Sequence, residues 1–352
     1  MTTFSAPEAD FGPLYKMIDD SLHAPLLVTA VNLEIFDRIS SPASARELAD
    51  QVGWHPGNTE RFLNALAAAG LLAKRDGEFK NTALSRTYLL SGSKTYLGDM
   101  LVDSFTMSFQ DPQTLGLLIQ GGPPAMSTET ENKGHDHDME AMAGKGVDYT
   151  ARIQLTYAHL VASIVSDLPE FPGMKRMLDL GGGAGLNCVA IVGAHPSMKG
   201  TVFDFPDVAN KARDYIRDYG MEDRITTLGG DYTRDDFGIG YDLIWASGTL
   251  NFSKDSLEQV MAKIYNALSP GGIFISLHDI LIPDGTGPGV SVRRFLPMVL
   301  AGTDFYLEAG RFANTMARAG LQPVDSRSIE TPFGPMQLDI SRVSANRKPE
   351  ST

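Results

Sequence analysis

The chain holds one cysteine in 352 residues, Cys188. No internal disulfide is therefore available, and the fold must be held by packing. Long apolar runs are missing too: none approaches the roughly 18 residues that span a bilayer. The start, Met1-Thr2-Thr3-Phe4-Ser5-Ala6-Pro7-Glu8, has neither the basic stretch nor the apolar one of a secretory leader. The expectation is a soluble, cytoplasmic protein. Basic charge is in deficit, with Lys+Arg 30 against Asp+Glu 43 and a net charge of −13. A surface of that sign repels phosphate backbones and anionic lipid, which argues against nucleic acid and membrane as partners. What is present is an ordinary globular composition, 43% hydrophobic and 21% charged. The length suits about two domains.

From Asp19 to about Ser93 the pattern is helical with short loops. Ser44 precedes Arg46-Glu47-Leu48-Ala49 with Glu three residues on, the signature of a capping box, and Asn58 or Thr59 is placed to cap a second helix through Leu71. Leu72–Lys80 then reads as two short strands around Asp76-Gly77. Helix, turn, helix and hairpin make a winged helix, so residues 1–115 are expected to form an N-terminal, essentially all-helical winged-helix domain. Up to Leu115 it carries 9 Lys+Arg and 14 Asp+Glu, and Arg61 alone would serve its recognition helix. Dimerisation suits it better than DNA reading. Residues 116–148, rich in Gly, Pro, Ser and His, read as a linker or pocket cover. His135 and His137 lie there without a third ligand at a recognisable spacing, so no metal site is expected.

Beyond a helical stretch from Tyr149 to Leu168, strands and helices alternate. Strands are expected at 176–180, 200–205, 224–229, 241–246 and 272–278, with helices at 186–194, 207–219 and 254–268. A further helix at 307–319 and two strands around Pro332-Phe333-Gly334-Pro335 complete the chain. A regular βαβ succession folds as an α/β, Rossmann-like, doubly wound, mostly parallel sheet, and its ligands bind at the C-terminal strand ends.

The sharpest chemical signal is Leu178-Asp179-Leu180-Gly181-Gly182-Gly183-Ala184-Gly185, where a strand gives way to a helix. Glycines let the backbone approach a ligand, and the helix N-terminus adds positive potential. The dinucleotide spacing G-x-G-x-x-G fails, because Leu186 occupies its last position. Asp179 before the loop suits the ammonium of an amino-acid moiety better than a pyrophosphate. Asp204 ends the second strand, placed for ribose hydroxyls, and Asp231-Tyr232 end the third, an acid and an aromatic suited to adenine. Three acids in register on successive strand ends point to S-adenosyl-L-methionine. Phe205 at the end of the second strand and Ser247 after the fourth join Gly181 and Gly183 as candidate contacts.

These motifs, with Phe203-Asp204-Phe205-Pro206, Gly229-Gly230-Asp231, Ala267-Leu268-Ser269-Pro270-Gly271-Gly272 and Arg318-Ala319-Gly320-Leu321, resemble the class I S-adenosylmethionine-dependent O-methyltransferases with an N-terminal winged-helix dimerisation domain, the group of caffeate-type plant enzymes and bacterial natural-product enzymes. The resemblance runs from about Leu14 to Arg342. It implies a seven-stranded sheet, a homodimer through the N-terminal domain, a small-molecule acceptor, and cofactor contacts at Asp179, Gly181, Gly183, Asp204, Asp231 and Tyr232.

Departures from the family pattern are informative. The family's Leu-His-Asp-Trp, whose His is the general base, is replaced by Leu250-Asn251-Phe252-Ser253, and its two supporting Glu positions fall on Asp279 and Tyr306. Asn is no base, and Tyr is a poor one at neutral pH. A thioether keeps its lone pair free at every pH, so the favoured reaction is S-methylation. Here the chain resembles the bacterial S-methyltransferases of dimethylsulfoniopropionate synthesis, which act on 4-methylthio-2-hydroxybutyrate. The alternative is O-methylation with His278 as a displaced base if its ring faces the pocket; facing away, His278 is structural. Arg293 or Arg294 would hold an acceptor carboxylate, and Met142 and Met298 would wall the pocket. A cofactor-sensing winged-helix regulator is the competing reading from outside enzymology.

Overall fold

The computed structural model describes residues 8–107, 111–123, 135–279, 281–282, 284–302, 307 and 310–347; for residues 107, 135–143 and 145 it describes the backbone only. Two compact units divide the chain, Met1–Ser108 and Phe109–Thr352.

In the first unit, α1 (Gly12–Asp20), α2 (His23–Asn32) and α3 (Ile35–Arg38) precede the two-residue strand β1 (Ala43–Ser44). Then come α4 (Ala45–Val52), α5 (Pro56–Ala68), β2 (Leu72–Arg75), β3 (Glu78–Asn81), α6 (Ala83–Tyr88) and α7 (Gly98–Met107). The capping box at α4 is complete, since Ser44 accepts from the Glu47 amide and Glu47 from the Ser44 amide. α5 starts earlier than expected. Pro56 fixes a helical φ in its first turn, so the cap is His55, whose Nδ1 accepts from the Asn58 amide at 3.2 Å. Asp76 (φ 51) and Gly77 (φ 86) both adopt the left-handed region that a two-residue hairpin requires. The wing gains a strand the sequence did not announce, β1, and the order is β1-β3-β2, all antiparallel. Phe36, Leu48, Leu63, Leu66 and Phe79 fill its core. On α1, by contrast, Leu14, Tyr15, Met17 and Ile18 are all exposed.

The second unit opens with α8 (Pro112–Gly121) and the 32-residue α9 (His135–Ser166). Both fall partly within the segment expected to be a linker, and residues 124–134 of that segment lie outside the described residues. There follow β4 (Arg176–Leu180), α10 (Leu186–Gly193), β5 (Lys199–Asp204), α11 (Pro206–Asp218), β6 (Ile225–Gly229), β7 (Tyr241–Ser247), α12 (Leu257–Ala267) and β8 (Leu268–His278). Last come α13 (Gly289–Leu300), α14 (Arg311–Arg318), β9 (Gln322–Thr331) and β10 (Gly334–Arg342). The seven strands run in the order β6-β5-β4-β7-β8-β10-β9. β4 to β8 pair in parallel, whereas β10 runs antiparallel to β8 and forms a hairpin with β9 at the sheet's edge. This is the doubly wound, class I methyltransferase arrangement.

Side-chain alternation sends Met177, Trp245 and Ile275 to one face of the sheet and Leu178, Ile244 and Phe274 to the other. Each such fully buried side chain contributes roughly 1.5–3 kcal/mol. The chain winds outward from β4 through β5 to β6 and then returns to place β7 and β8 on β4's other side, so the crevice opens beyond the C-terminal end of β4. Among the described residues, no helix is long and apolar enough to cross a membrane.

Candidate functional site

The loop after β4 turns so tightly that side chains are excluded. Gly181 (φ 64) and Gly183 (φ 57) lie in the left-handed region, and a Cβ on Gly181 would fall 2.1 Å from Thr249 Oγ1. The Gly181 amide donates to the Phe203 carbonyl at 2.8 Å, tying the loop to β5.

Asp204, at the end of β5, closes that tie. Its Oδ2 accepts from the Gly183 amide at 2.8 Å and its Oδ1 from the Phe205 amide at 2.8 Å. Burial raises its pKa to about 6 against the lowering effect of both bonds. Each oxygen keeps a further lone pair for a hydroxyl donor. Asp179 is placed differently from expectation. Only 1% exposed, it sits beneath the loop: Oδ2 accepts from the Cys188 amide in the first turn of α10 at 3.1 Å, and a Cβ on Gly182 would be 2.8 Å from its Cγ. Burial pushes its pKa up to about 7. A carboxylate so enclosed anchors the loop to α10 instead of meeting an ammonium head-on.

Asp231 caps its own turn, with Oδ1 accepting from the amide and hydroxyl of Thr233, and Arg234 Nε lies 3.8 Å from Oδ2. The Tyr232 hydroxyl donates to the Thr249 carbonyl at 3.0 Å, and burial raises its pKa to about 12, so it stays neutral. Lys263, which the sequence reading passed over, holds this turn from α12 by donating to the carbonyls of Tyr232 and Asp235. Ser247, ending β7, meets the Tyr157 hydroxyl at 3.3 Å.

Sequence reasoning also missed the face that α9 lays on the loop. Gln154, 4% exposed, donates from Nε2 to the Gly182 carbonyl at 2.8 Å and accepts at Oε1 from the Leu186 amide at 3.0 Å. A Cβ on Gly183 would be 2.8 Å from Thr150 Cγ2. Thr150, Gln154 and Tyr157 recur at helical spacing, and that periodicity is the only signal the sequence offers for them.

The candidate catalytic residues separate. Asn251, in a short 3₁₀ turn over Leu250–Ser253, donates from Nδ2 to the main-chain carbonyl of Asp279 at 3.0 Å. The Asp279 carboxylate accepts from Ser291 Oγ at 3.1 Å and lies 4.0 Å from Arg294 Nη1. Burial raises its pKa, while Arg294 and Ser291 lower it. His278 is corrected: the ring is 1% exposed, stacked on Phe312 at 4.2 Å, with Nδ1 3.1 Å from Ser276 Oγ and Nε2 3.6 Å from Asp339 Oδ2. Strand alternation turns it into the layer between sheet and α14, and burial lowers its pKa to about 3. A base sealed in that layer reaches no acceptor. Arg294 is corrected as well, since its guanidinium faces Asp279, the Phe333 carbonyl and the Phe333 ring. Arg293 and Met298 are exposed on α13. Tyr306 lies outside the described residues, as do the side chains of Met142, His135 and His137. Among the described residues no three His, Cys, Asp or Glu gather as a metal site.

The family described as the O-methyltransferase domain matches residues 135–320, and the O-methyltransferase dimerisation domain matches residues 16–91. The chain belongs to the O-methyltransferase family. Among its relatives is 3-hydroxy-5-methyl-1-naphthoate 3-O-methyltransferase of Streptomyces sahachiroi, 27% identical over 79% of each chain. The N,N-dimethyltransferase OxyT of Streptomyces rimosus is 26% identical over 81% of this chain and 83% of its own. Human N-acetylserotonin methyltransferase, solved with S-adenosylmethionine, shares the fold at a TM-score of 0.69 and 22% identity, covering 97% of this chain and all of the other. The methyltransferase takes S-adenosyl-L-methionine as its cofactor. The residues present fit that group: a glycine loop without side chains, a carboxylate with spare lone pairs at the end of β5, and an acid–aromatic pair at the end of β6.

Proposed function

We propose that this methyltransferase methylates an acidic hydroxyl, phenolic or enolic, on a small molecule. The observation that carries the reading is the pairing of Asn251 with Asp279 while His278 is sealed away. Asn251 can orient an acceptor but takes no proton. Among the described residues at this strand end, the Asp279 carboxylate is the group able to receive one. It is a weak base, and desolvation strengthens it. Such a base serves a hydroxyl that is itself acidic. The naphthoate enzyme's name describes an aromatic hydroxyl of that kind.

The cofactor supplies an electrophilic methyl group on a sulfonium. Asp204 would bind its ribose hydroxyls, Phe205, Asp231 and Tyr232 would frame its adenine, and Ser247 with the backbone of Gly181 and Gly183 would hold its methionine end. Asn251 would orient the acceptor hydroxyl toward that methyl group, and the Asp279 carboxylate would receive the proton the hydroxyl gives up. Arg294 and Ser291 position that carboxylate. Arg293 is the cation for an acceptor carboxylate, and Met298 contributes to the wall.

Asn251 in the family's base position favours a second reading, transfer to a thioether such as 4-methylthio-2-hydroxybutyrate, which has no proton to lose. A panel of phenols, enols, amines and thioethers, incubated with labelled cofactor and resolved by mass spectrometry, separates the two. A methyl ether is the expected product. Sulfonium formation from the thioether without any ether overturns the first reading in favour of the second.

A further inference from the structure

Four of the five residues from Gly181 to Gly185 are glycine, and glycine retains more conformational freedom in a flexible state than any other residue. A loop of this composition binds tightly only if something else fixes its shape before the ligand arrives. Asp204 fixes one point, the Gly183 amide. The Phe203 carbonyl holds the Gly181 and Gly182 amides, Asp179 ties the start of α10 from beneath, and the remaining hold comes from α9. Gln154 uses both ends of one amide group, grasping the Gly182 carbonyl and the Leu186 amide, and it does so 4% exposed, where water cannot compete. Leu186 is the first residue of α10, where an amide ordinarily lacks a partner within its helix. Tyr157, one turn further along α9, reaches Ser247 at the next strand end.

We infer that Gln154 is the positioning residue of the cofactor loop: it bridges the loop's first turn to the start of α10, and so presets the backbone that receives S-adenosylmethionine. The donor–acceptor geometry explains why a glutamine stands there. A carboxylate would accept from Leu186 but oppose the Gly182 carbonyl, a lysine would do the reverse, and an apolar side chain would leave both groups buried without this partner. The inference rests on the cofactor assignment and is independent of the acceptor.

The test uses full-length protein and S-adenosylhomocysteine as probe, by titration calorimetry. Gln154→Met removes both bonds at similar volume, and the Kd is expected to rise tenfold or more. Gln154→Glu removes one. At pH 8 its Kd should exceed wild type severalfold, and at pH 6 the ratio to wild type should shrink as the buried carboxyl gains a proton and donates to Gly182 again. In turnover assays the KM for the cofactor should rise while the acceptor KM holds. Amide exchange on cofactor-free wild type adds a readout that needs no variant, since the Leu186 amide should be protected. Variants that keep the Kd within twofold, or a Leu186 amide that exchanges freely, overturn the role. Wild-type protein that fails to bind S-adenosylhomocysteine instead overturns the cofactor assignment.

Discussion

Asp204→Asn probes the crevice at its most charged point. Without cofactor, burial raises this carboxyl from the usual 3.8 to about 6. Between those values the native protein binds more protons than the unfolded chain, so stability falls as pH rises through the interval. At 1.36 kcal/mol per pH unit, about 3 kcal/mol is lost by pH 7. Binding runs the other way. Two hydroxyl donors favour the ionised form, so affinity for S-adenosylhomocysteine should climb from pH 5.5 and level off above 6.5. The asparagine abolishes the charge and turns an NH2 group toward either the Gly183 or the Phe205 amide, donor against donor. Hydrogen bonds to a charged acceptor contribute about 1.5–3 kcal/mol, and an overall loss of about 2–3 kcal/mol corresponds to roughly 30- to 150-fold in Kd. Calorimetry at pH 5.5, 6.5 and 7.5 measures both quantities. Asp179, its pKa pushed up to about 7 by burial and further by the Asp204 charge, adds a slope of its own that moves to lower pH in the variant. A variant within threefold of wild type at pH 7.5, or one that keeps the full wild-type slope, refutes the reasoning.

Asp279→Asn should lower kcat by about 10²- to 10³-fold while S-adenosylhomocysteine affinity stays unchanged, as single-turnover assays with an active phenol would show. His278→Gln should leave kcat within about threefold and lower the melting temperature by several degrees through lost packing on Phe312. Because the folded-state pKa of His278 is depressed to about 3, its contribution is fully present above pH 6.5 and lost as pH falls toward 3. Acid melts of wild type should therefore be steeper than those of the variant.

The sheet was legible because each strand is a short apolar run bounded by turn residues, and β4 falls on 176–180 as read. β8 extends back to Leu268 because Gly271 (φ 80) lets the chain kink and still pair. Asp204 announced itself through its place at a strand end. Asp179 did not reveal that it lies under the loop, since that depends on where Cys188 and the start of α10 come to rest. For His278 and Asp279 alternation required only that the two face opposite ways; Phe312, distant in sequence, settles which is enclosed. Gln154 was hidden for a similar reason. A polar residue on the buried side of α9 breaks the apolar stripe, and only the folded loop supplies the two groups that match its amide.

The open sheet ends on β9, and that rim is built to resist recruiting another strand. Pro323 offers no amide hydrogen, Asp325 and Arg327 pair with one another along the rim, and Glu330 adds charge near its end. An incoming strand would have to desolvate these charges without compensation. Fibril-like stacking of copies through β9 is disfavoured at that rim, which leaves apolar surfaces such as the exposed side of α1 as the stickier part of the chain.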